Sequence, residues 1–399
     1  MSDRICITGA GVVSAIGFGR QQTAASLRAG RSGVAPVRYL ATPDRSFLVG
    51  EVDLDDAGLK TRLGMPADAV VSRTSLLGIV ALQEALQKAG LAPEQCRQMP
   101  LISGTTVGGM DQTERYFAEL MTGASAHDAC IGIHDCGAST DAMAAYFGGF
   151  SWATTLSTAC SSAANAMILG ANLIKAGRAE RVAVGGSESL SNFHLNGFNS
   201  LMIVDRAPCR PFDRTRAGLN LGEGAAFLIL ESETAALRRG VRPAAFLAGY
   251  GNACDAFHQT ASSENGEGPF LAMTQALAMA GIPASAVDYI NAHGTGTPNN
   301  DASESAAIRR VFGDHYPPVS STKAFTGHTT SASGSIEAVF CLLAMEQGFL
   351  PANLGWKEPD EACIRPVSVL REGVTLRHVL CNAFGFGGND SSLLLTLNS

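Results

Sequence analysis

MTQALAMAGIPASAVDYI (residues 273–290) has a counterpart earlier in the chain, ALQEALQKAGLAPEQCRQMPLI (81–102), and this pairing decides the fold. Each copy reads as a helix closed by an Ala-Gly pair, a short Pro-containing link and an apolar strand. The first runs on into SGTT and the second into AHGTGT. The likeness extends further. TSASGSIEAVFCLLAMEQG (330–348) matches STACSSAANAMILGANLIKAG (157–177), with small residues, an apolar helix and a terminal glycine in each. HVLCNAFGFGG (378–388) matches RVAVGG (181–186), a buried strand after the helix. A duplicated strand–helix pattern predicts two similar α/β halves about a pseudo-twofold axis. The joint falls near residue 240, after ESETAALRRG, giving halves 1–240 and 241–399. No low-complexity linker separates them, so they are expected to share one core.

Local patterns fill in the first half. RICITG (4–9) reads as a strand that meets a glycine turn, GAGVV, before a helix-like segment ending near Arg28. That turn is only a weak dinucleotide-binding signal, with no acidic ribose ligand or clear βαβ unit behind it. SLLGIVALQEALQKAG (75–90) reads as an amphipathic helix. The composition, 399 residues with 46% hydrophobic and 16% charged, is ample for a large core. No apolar run reaches the ~18 residues of a membrane span. The N-terminus goes straight into a strand and does not read as a signal peptide. Ten scattered cysteines without a CxxC pair fit a reducing cytoplasm. A net charge of −7 argues against broad nucleic-acid binding.

Cys160 is the candidate nucleophile. It precedes Ser161 and Ser162, both suited to capping, at the start of a helix whose dipole favours thiolate over thiol. A small buried cysteine is the plainer reading of that residue alone. Three other clusters change the balance. NAHGTGTPNND (291–301) takes His293 off a buried strand onto a permissive Gly/Thr loop. SSTKAFTGHTTSASG (320–334) puts Lys323 and His328 ahead of the second-half helix, where Glu337 can pair with Lys323. NAFGFGGND (382–390) allows close backbone approach, while Phe384 and Phe386 can line an apolar channel. Cys, two His, Lys and a Gly-rich turn fit acyl thioester chemistry better than metal binding, because the histidines lack a partner ligand at metal spacing.

STACSS, PFDRTRAGLNLGEGAA (211–226), NAHGTGTPNND, STKAFTGH and NAFGFGGND stand in one order along nearly the whole chain. In this the sequence resembles the β-ketoacyl-[acyl-carrier-protein] synthases, the elongating condensing enzymes. The resemblance implies a thiolase-like α/β fold of five layers, αβαβα, in two duplicated halves. It implies an acyltransferase that needs no metal or redox cofactor, only the phosphopantetheine of acyl carrier protein. The usual assembly is a homodimer, with a heterodimer of ketosynthase-like chains as the variant. By position, Cys160 resembles the acyl-accepting nucleophile, and His293 and His328 the pair that supports decarboxylation and condensation. Lys323 resembles the lysine that orders the His328 loop, and Glu337 its carboxylate partner. The amides of Cys160 and Phe386 resemble the oxyanion hole, with Phe386 also the gate of the acyl channel. Thr295 and Thr297 match the threonines on the phosphopantetheine arm. Phe198 and Phe384 are expected along the substrate path, and Val107 at the far end of the acyl channel.

Two departures point away from housekeeping fatty-acid elongation. PADAVVSRT (66–74) is mostly apolar where basic residues often meet the acidic carrier, and Met202 stands where an arginine is expected. Arg206 and Arg210 are the substitute docking candidates, with Arg214 and Arg216 nearby and structural in character. CIGIHDCGASTDAM (130–143), expected along the acyl pocket, carries His134, Asp135 and Asp141. These features fit a specialised synthase of polyene, aryl-polyene or polyketide type, with fatty-acid biosynthesis the other pathway that the resemblance implies. Two rivals are a non-catalytic chain-length-factor-like subunit, which would lack the nucleophile, and a degradative thiolase. A thiolase would carry a cysteine base in the C-terminal turn, whereas Cys381 lies several residues before GFGG and is expected inside a strand.

Overall fold

Gly9 and Gly11 do not turn the chain. In the computed structural model, which describes residues 3–123 and 126–398, strand β1 runs unbroken over Ile5–Ser14. A Cβ at Gly9 would stand 2.2 Å from the Ala85 carbonyl oxygen, and one at Gly11 would stand 2.1 Å from that of Ala81. Both carbonyls belong to helix α1, Arg73–Lys88. The glycines are therefore there so that helix and sheet can close up. The second half repeats the device: Gly249 and Gly251 face the Ala276 and Ala272 carbonyls at 2.1 Å each.

Nine further strands complete the main sheet path: β2 Leu101–Gly104, β3 Ala153–Leu156, β4 Arg181–Glu188, β5 Gly224–Ser232, β6 Ala245–Cys254, β7 Tyr289–Asn291, β8 Val319–Ser320, β9 His378–Gly385 and β10 Asn389–Leu397. Their spatial order is β8-β7-β9-β10-β6-β1-β5-β4-β2-β3. Each first-half strand thus has its equivalent five strands later, at the mirrored place. β1 pairs antiparallel with β5 and β6 with β10, and the register slips at matching points, Ile7/Gly9 and Leu247/Gly249. The two halves meet through β1 and β6 over Cys6↔Phe246 and Ile7↔Ala245.

Helices α2 (Ser162–Lys175) and α4 (Ser333–Gln347) pack on each other between the halves, while α1 and α3 (Glu267–Ala280) cover the outer faces. This is the five-layered thiolase-like arrangement. α4 is buried from Ser333 to Met345, as a helix apolar on all sides must be when a sheet lies on either flank. α1 is also buried over Arg73–Leu82, so the amphipathic reading holds only for its last turns, where Gln83, Gln87 and Lys88 are exposed. Met143, Phe147, Leu59 and Leu63 pack in one cluster with its apolar residues. Among the described residues no helix is long and apolar enough to cross a membrane.

Candidate active site

Cys160 lies just after β3, on the turn that leads into α2. Ala159 before it has φ of +52°, in the left-handed region, so the chain reverses sharply at the sulfur. Ser161 stands at the N-cap but does not cap. Its hydroxyl reaches the Thr158 carbonyl and Asn389 Oδ1, at 2.7 Å each, tying the turn to the end of the GFGG loop. The helix-dipole expectation also fails. Cys160 is 5% exposed, and burial pushes its thiol up to about 12. Lys323 and the N–H groups of Phe386 and Cys160 pull it back, while Glu188 pushes it further up. Desolvation is the largest of these effects and favours the neutral thiol. The same two amides sit where the resemblance puts the oxyanion hole.

His328 Nε2 lies 3.1 Å from Cys160 Sγ, and the His328 and His293 rings meet edge to face at 5.2 Å. Burial first, then the Lys323 cation, depresses both imidazoles well below their usual range, so both are neutral. The partner of His293 fixes its tautomer. Lys323 Nζ lies 3.3 Å from His293 Nδ1 and can only donate, so His293 carries its proton on Nε2. His328 Nδ1 has no partner among the described residues. Its Nε2 is the ring nitrogen that faces the sulfur. Two neutral imidazoles thus converge beside one nucleophile. Lys323 Nζ also donates to Glu337 Oε1 at 2.6 Å, both groups being buried. The lysine therefore sets the tautomer of His293 as well as opening the turn that carries His328.

A cavity of ≈ 300 Å³ opens onto this group. Cys160, His293, His328, Phe198, Phe384 and Phe386 line it, with Thr295 and Thr297 toward Asn299 and Asn300. The two threonine hydroxyls share a 2.9 Å hydrogen bond, and Phe198 stacks on Phe386 at 5.5 Å. Ligand atoms of Cys160, His293 and His328 lie within 4.8 Å of one another. The Lys323 ammonium beside them opposes a second cation.

Other expected residues lie elsewhere. Val107 is buried but does not line this cavity within one chain; its N–H donates to Glu188 at 2.9 Å. Arg206 pairs with Asp44 and lies over the Phe47 ring, and Arg210 pairs with Asp205. Both docking candidates are thus already matched to carboxylates, Arg210 with little exposure. Arg216 is buried against Asp301 and Asp360, which is structural. Arg73, the basic residue in the apolar 66–74 segment, is buried against Glu223 and Asp56. Met202 is 89% exposed. His134, Asp135 and Asp141 face outward rather than into the cavity, so within one chain they do not make the acyl pocket polar. Cys381 is buried in β9, as expected.

Sequence reasoning missed two buried carboxylates. Glu304 accepts the N–H groups of His293 (2.9 Å) and Gly294 (2.8 Å), which seats the His293 loop. Its spacing of eleven residues from His293 was the only local signal. Glu188, at the end of β4, had none beyond closing RVAVGGSE.

The chain matches the family model "Beta-ketoacyl synthase, N-terminal domain" over residues 2–236 and "Beta-ketoacyl synthase, C-terminal domain" over residues 244–357. It is 34% identical to nodulation protein E of Rhizobium meliloti (strain 1021), covering 98% of this chain and 99% of the relative. It is 33% identical to 3-oxoacyl-[acyl-carrier-protein] synthase 1 of Escherichia coli (strain K12), covering 98% of each. A solved structure described as the ishigamide ketosynthase/chain length factor superposes with a TM-score of 0.92 at 32% identity, over 100% of both chains. A buried cysteine flanked by two amides and two neutral histidines is what thioester condensation needs, and the chain belongs to the β-ketoacyl synthase family of acyltransferases.

Proposed function

We propose that this ketosynthase extends acyl chains held on Cys160 with malonyl units delivered by acyl carrier protein, in a specialised polyene- or polyketide-type pathway. The single observation that carries the chemistry is the convergence of His328 Nε2, at 3.1 Å, and the His293 ring on the Cys160 sulfur. The acyl carbonyl is attacked by sulfur, its oxygen held by the Cys160 and Phe386 amides. The tetrahedral adduct expels the pantetheine thiolate, which leaves with the cysteine proton. Malonyl-carrier then enters past Thr295 and Thr297. Its C–C bond to the carboxylate breaks, CO2 departs, and the electron pair becomes an enolate on the thioester oxygen. The two histidines meet that charge where it develops. The enolate attacks the acyl carbonyl, the C–S bond to Cys160 breaks, and the thiolate regains a proton from solvent. No metal or redox group is required in this scheme.

The specialised assignment draws on the apolar 66–74 segment, on Met202 and on the likeness to a structure described as a ketosynthase with a chain length factor. That likeness, with exposed Phe117, Met121, Ile131 and Trp152 and a half-exposed edge strand β3, supports a dimer, either of two copies or with a ketosynthase-like partner. Cys160 and both histidines disfavour a non-catalytic chain-length-factor role for this chain. A cytoplasmic location fits ten unpaired cysteines. The test is a panel of saturated and polyunsaturated acyl-carriers given to the enzyme with malonyl-carrier. Faster extension of the unsaturated set supports the assignment; a tenfold preference for saturated chains overturns it.

A further inference from the structure

Glu188 is fully buried and makes no ion pair among the described residues. Its carboxylate accepts from both halves of the molecule, Oε1 from the first half and Oε2 from both. Oε1 accepts from Thr105 Oγ1 (2.9 Å), the Thr106 N–H (3.1 Å) and the Val107 N–H (2.9 Å), all on the turn after β2. Oε2 accepts from Thr106 Oγ1 (2.8 Å) and its N–H (3.0 Å). The same oxygen accepts from Thr330 Oγ1 (3.2 Å), the Ser331 N–H (3.3 Å) and Ser331 Oγ, on the loop after His328.

The backbone beside that loop is strained. Thr330 has φ of +42°, a conformation that a β-branched residue avoids. Such strain persists only where the surroundings fix it; the Thr330 hydroxyl and the N–H and hydroxyl of Ser331 all donate to Glu188, while Ser333 Oγ holds the Thr330 carbonyl at 2.8 Å. Two residues before Thr330 stands His328; three residues after it, Ser333 Oγ reaches the Cys160 carbonyl at 3.4 Å. We propose that Glu188 is a positioning residue which, by holding the strained Thr330–Ser331 turn, sets His328 over Cys160 and couples that placement to the Thr105–Val107 turn of the other half. The carboxylate suits this role because it only accepts, and three of its donors are backbone N–H groups that can do nothing else. An amide in its place would turn an NH2 toward some of those donors.

The inference rests on the two-histidine reaction proposed above. The test separates the half-reactions, measuring radiolabelled acyl transfer to Cys160 and CO2 release from malonyl-carrier. If the wild-type enzyme releases no CO2, the proposed reaction fails. With an active wild type, Glu188→Gln is expected to slow CO2 release about 10²-fold, the loss of one oriented donor, and acyl transfer less than about fivefold. Thr330→Gly added to Glu188→Gln should recover at least about fivefold of the lost decarboxylation, because glycine accepts positive φ without help. A purely structural role would lower both half-reactions together and show no such rescue. Wild-type decarboxylation in Glu188→Gln, or equal loss without rescue, overturns the inference. Should the glutamine variant not fold, Ser331→Ala carries the same test. Removal of one donor to Oε2 should slow CO2 release about tenfold with acyl transfer unchanged, and unchanged CO2 release overturns the proposal.

Discussion

Glu337→Ala should cost this enzyme both stability and decarboxylation, and the structure gives the size. The carboxylate and Lys323 form a pair 2.6 Å apart, with side-chain exposures of 4% and 1%. Breaking such a buried pair from one side costs about 3–5 kcal/mol, because the remaining charge has lost its partner without regaining water. For 399 residues, an unfolding entropy of about 2.1 cal/mol/K per residue gives about 0.8 kcal/mol/K. The melting temperature of Glu337→Ala should fall roughly 4–6 °C. Lys323→Ala strands the carboxylate instead, and its cost should depend on pH. Burial already pushes Glu337 up to about 7, with Lys323 as the group that holds it down. Without the lysine the folded carboxyl keeps its proton to still higher pH. A raised carboxyl contributes stability at low pH that is lost as pH rises through its folded value, so Lys323→Ala should lose less at pH 6 than at pH 9. Lys323→Ala also frees His293 Nδ1 and with it the tautomer. Scanning calorimetry at the two pH values, with CO2 release measured beside it, is the assay. A Glu337→Ala enzyme with unchanged melting and full decarboxylation would refute the buried-pair reasoning.

His293→Ala should slow CO2 release by about 10²–10³-fold while Cys160 still takes an acyl group; loss of acyl transfer with decarboxylation kept would reverse the role assignment. Val107→Phe tests the place that the family resemblance gives Val107, at the far end of the acyl path: a ring there is expected to shorten the products, while overpacking costs about 1–3 kcal/mol. Unchanged product lengths from one carrier would remove Val107 from that path. Asp390 is held up to about 8 by burial, then by Asp255 and Glu304. Its stabilising contribution is present at low pH and lost as pH rises through that value. Asp390→Asn should therefore flatten the fall in melting temperature between pH 6 and 9, and an unaltered slope would show that Asp390 does not titrate there.

The duplication was legible because each half repeats a helix, a glycine and an apolar strand at the same offsets, and the structure returns it as strands related five by five. The site was legible where chemistry shows in residue type: Cys160, His293, Lys323 and His328 each stand in a distinctive cluster. What stayed hidden depends on packing between residues far apart in the chain. Gly9 and Gly11 look like a turn until α1 is laid on them. The acidity of Cys160 was misjudged because a helix start is visible in sequence and burial is not. Glu188 gathers its donors from 105–107 and 330–331, more than 80 and 140 residues away, so no local pattern announces it. The docking role of Arg206 and Arg210 was read from position, and the carboxylates that occupy them lie partly on other loops.

Intact-mass spectrometry and peptide mapping, after incubation with acyl-carrier and then malonyl-carrier, test the central claim most directly. An acyl adduct on Cys160 alone should form first. It should vanish on addition of malonyl-carrier as CO2 and a β-ketoacyl-carrier appear in equal amounts, and Cys160→Ala should show neither step. An adduct on another cysteine, or extension without an adduct on Cys160, would contradict the account.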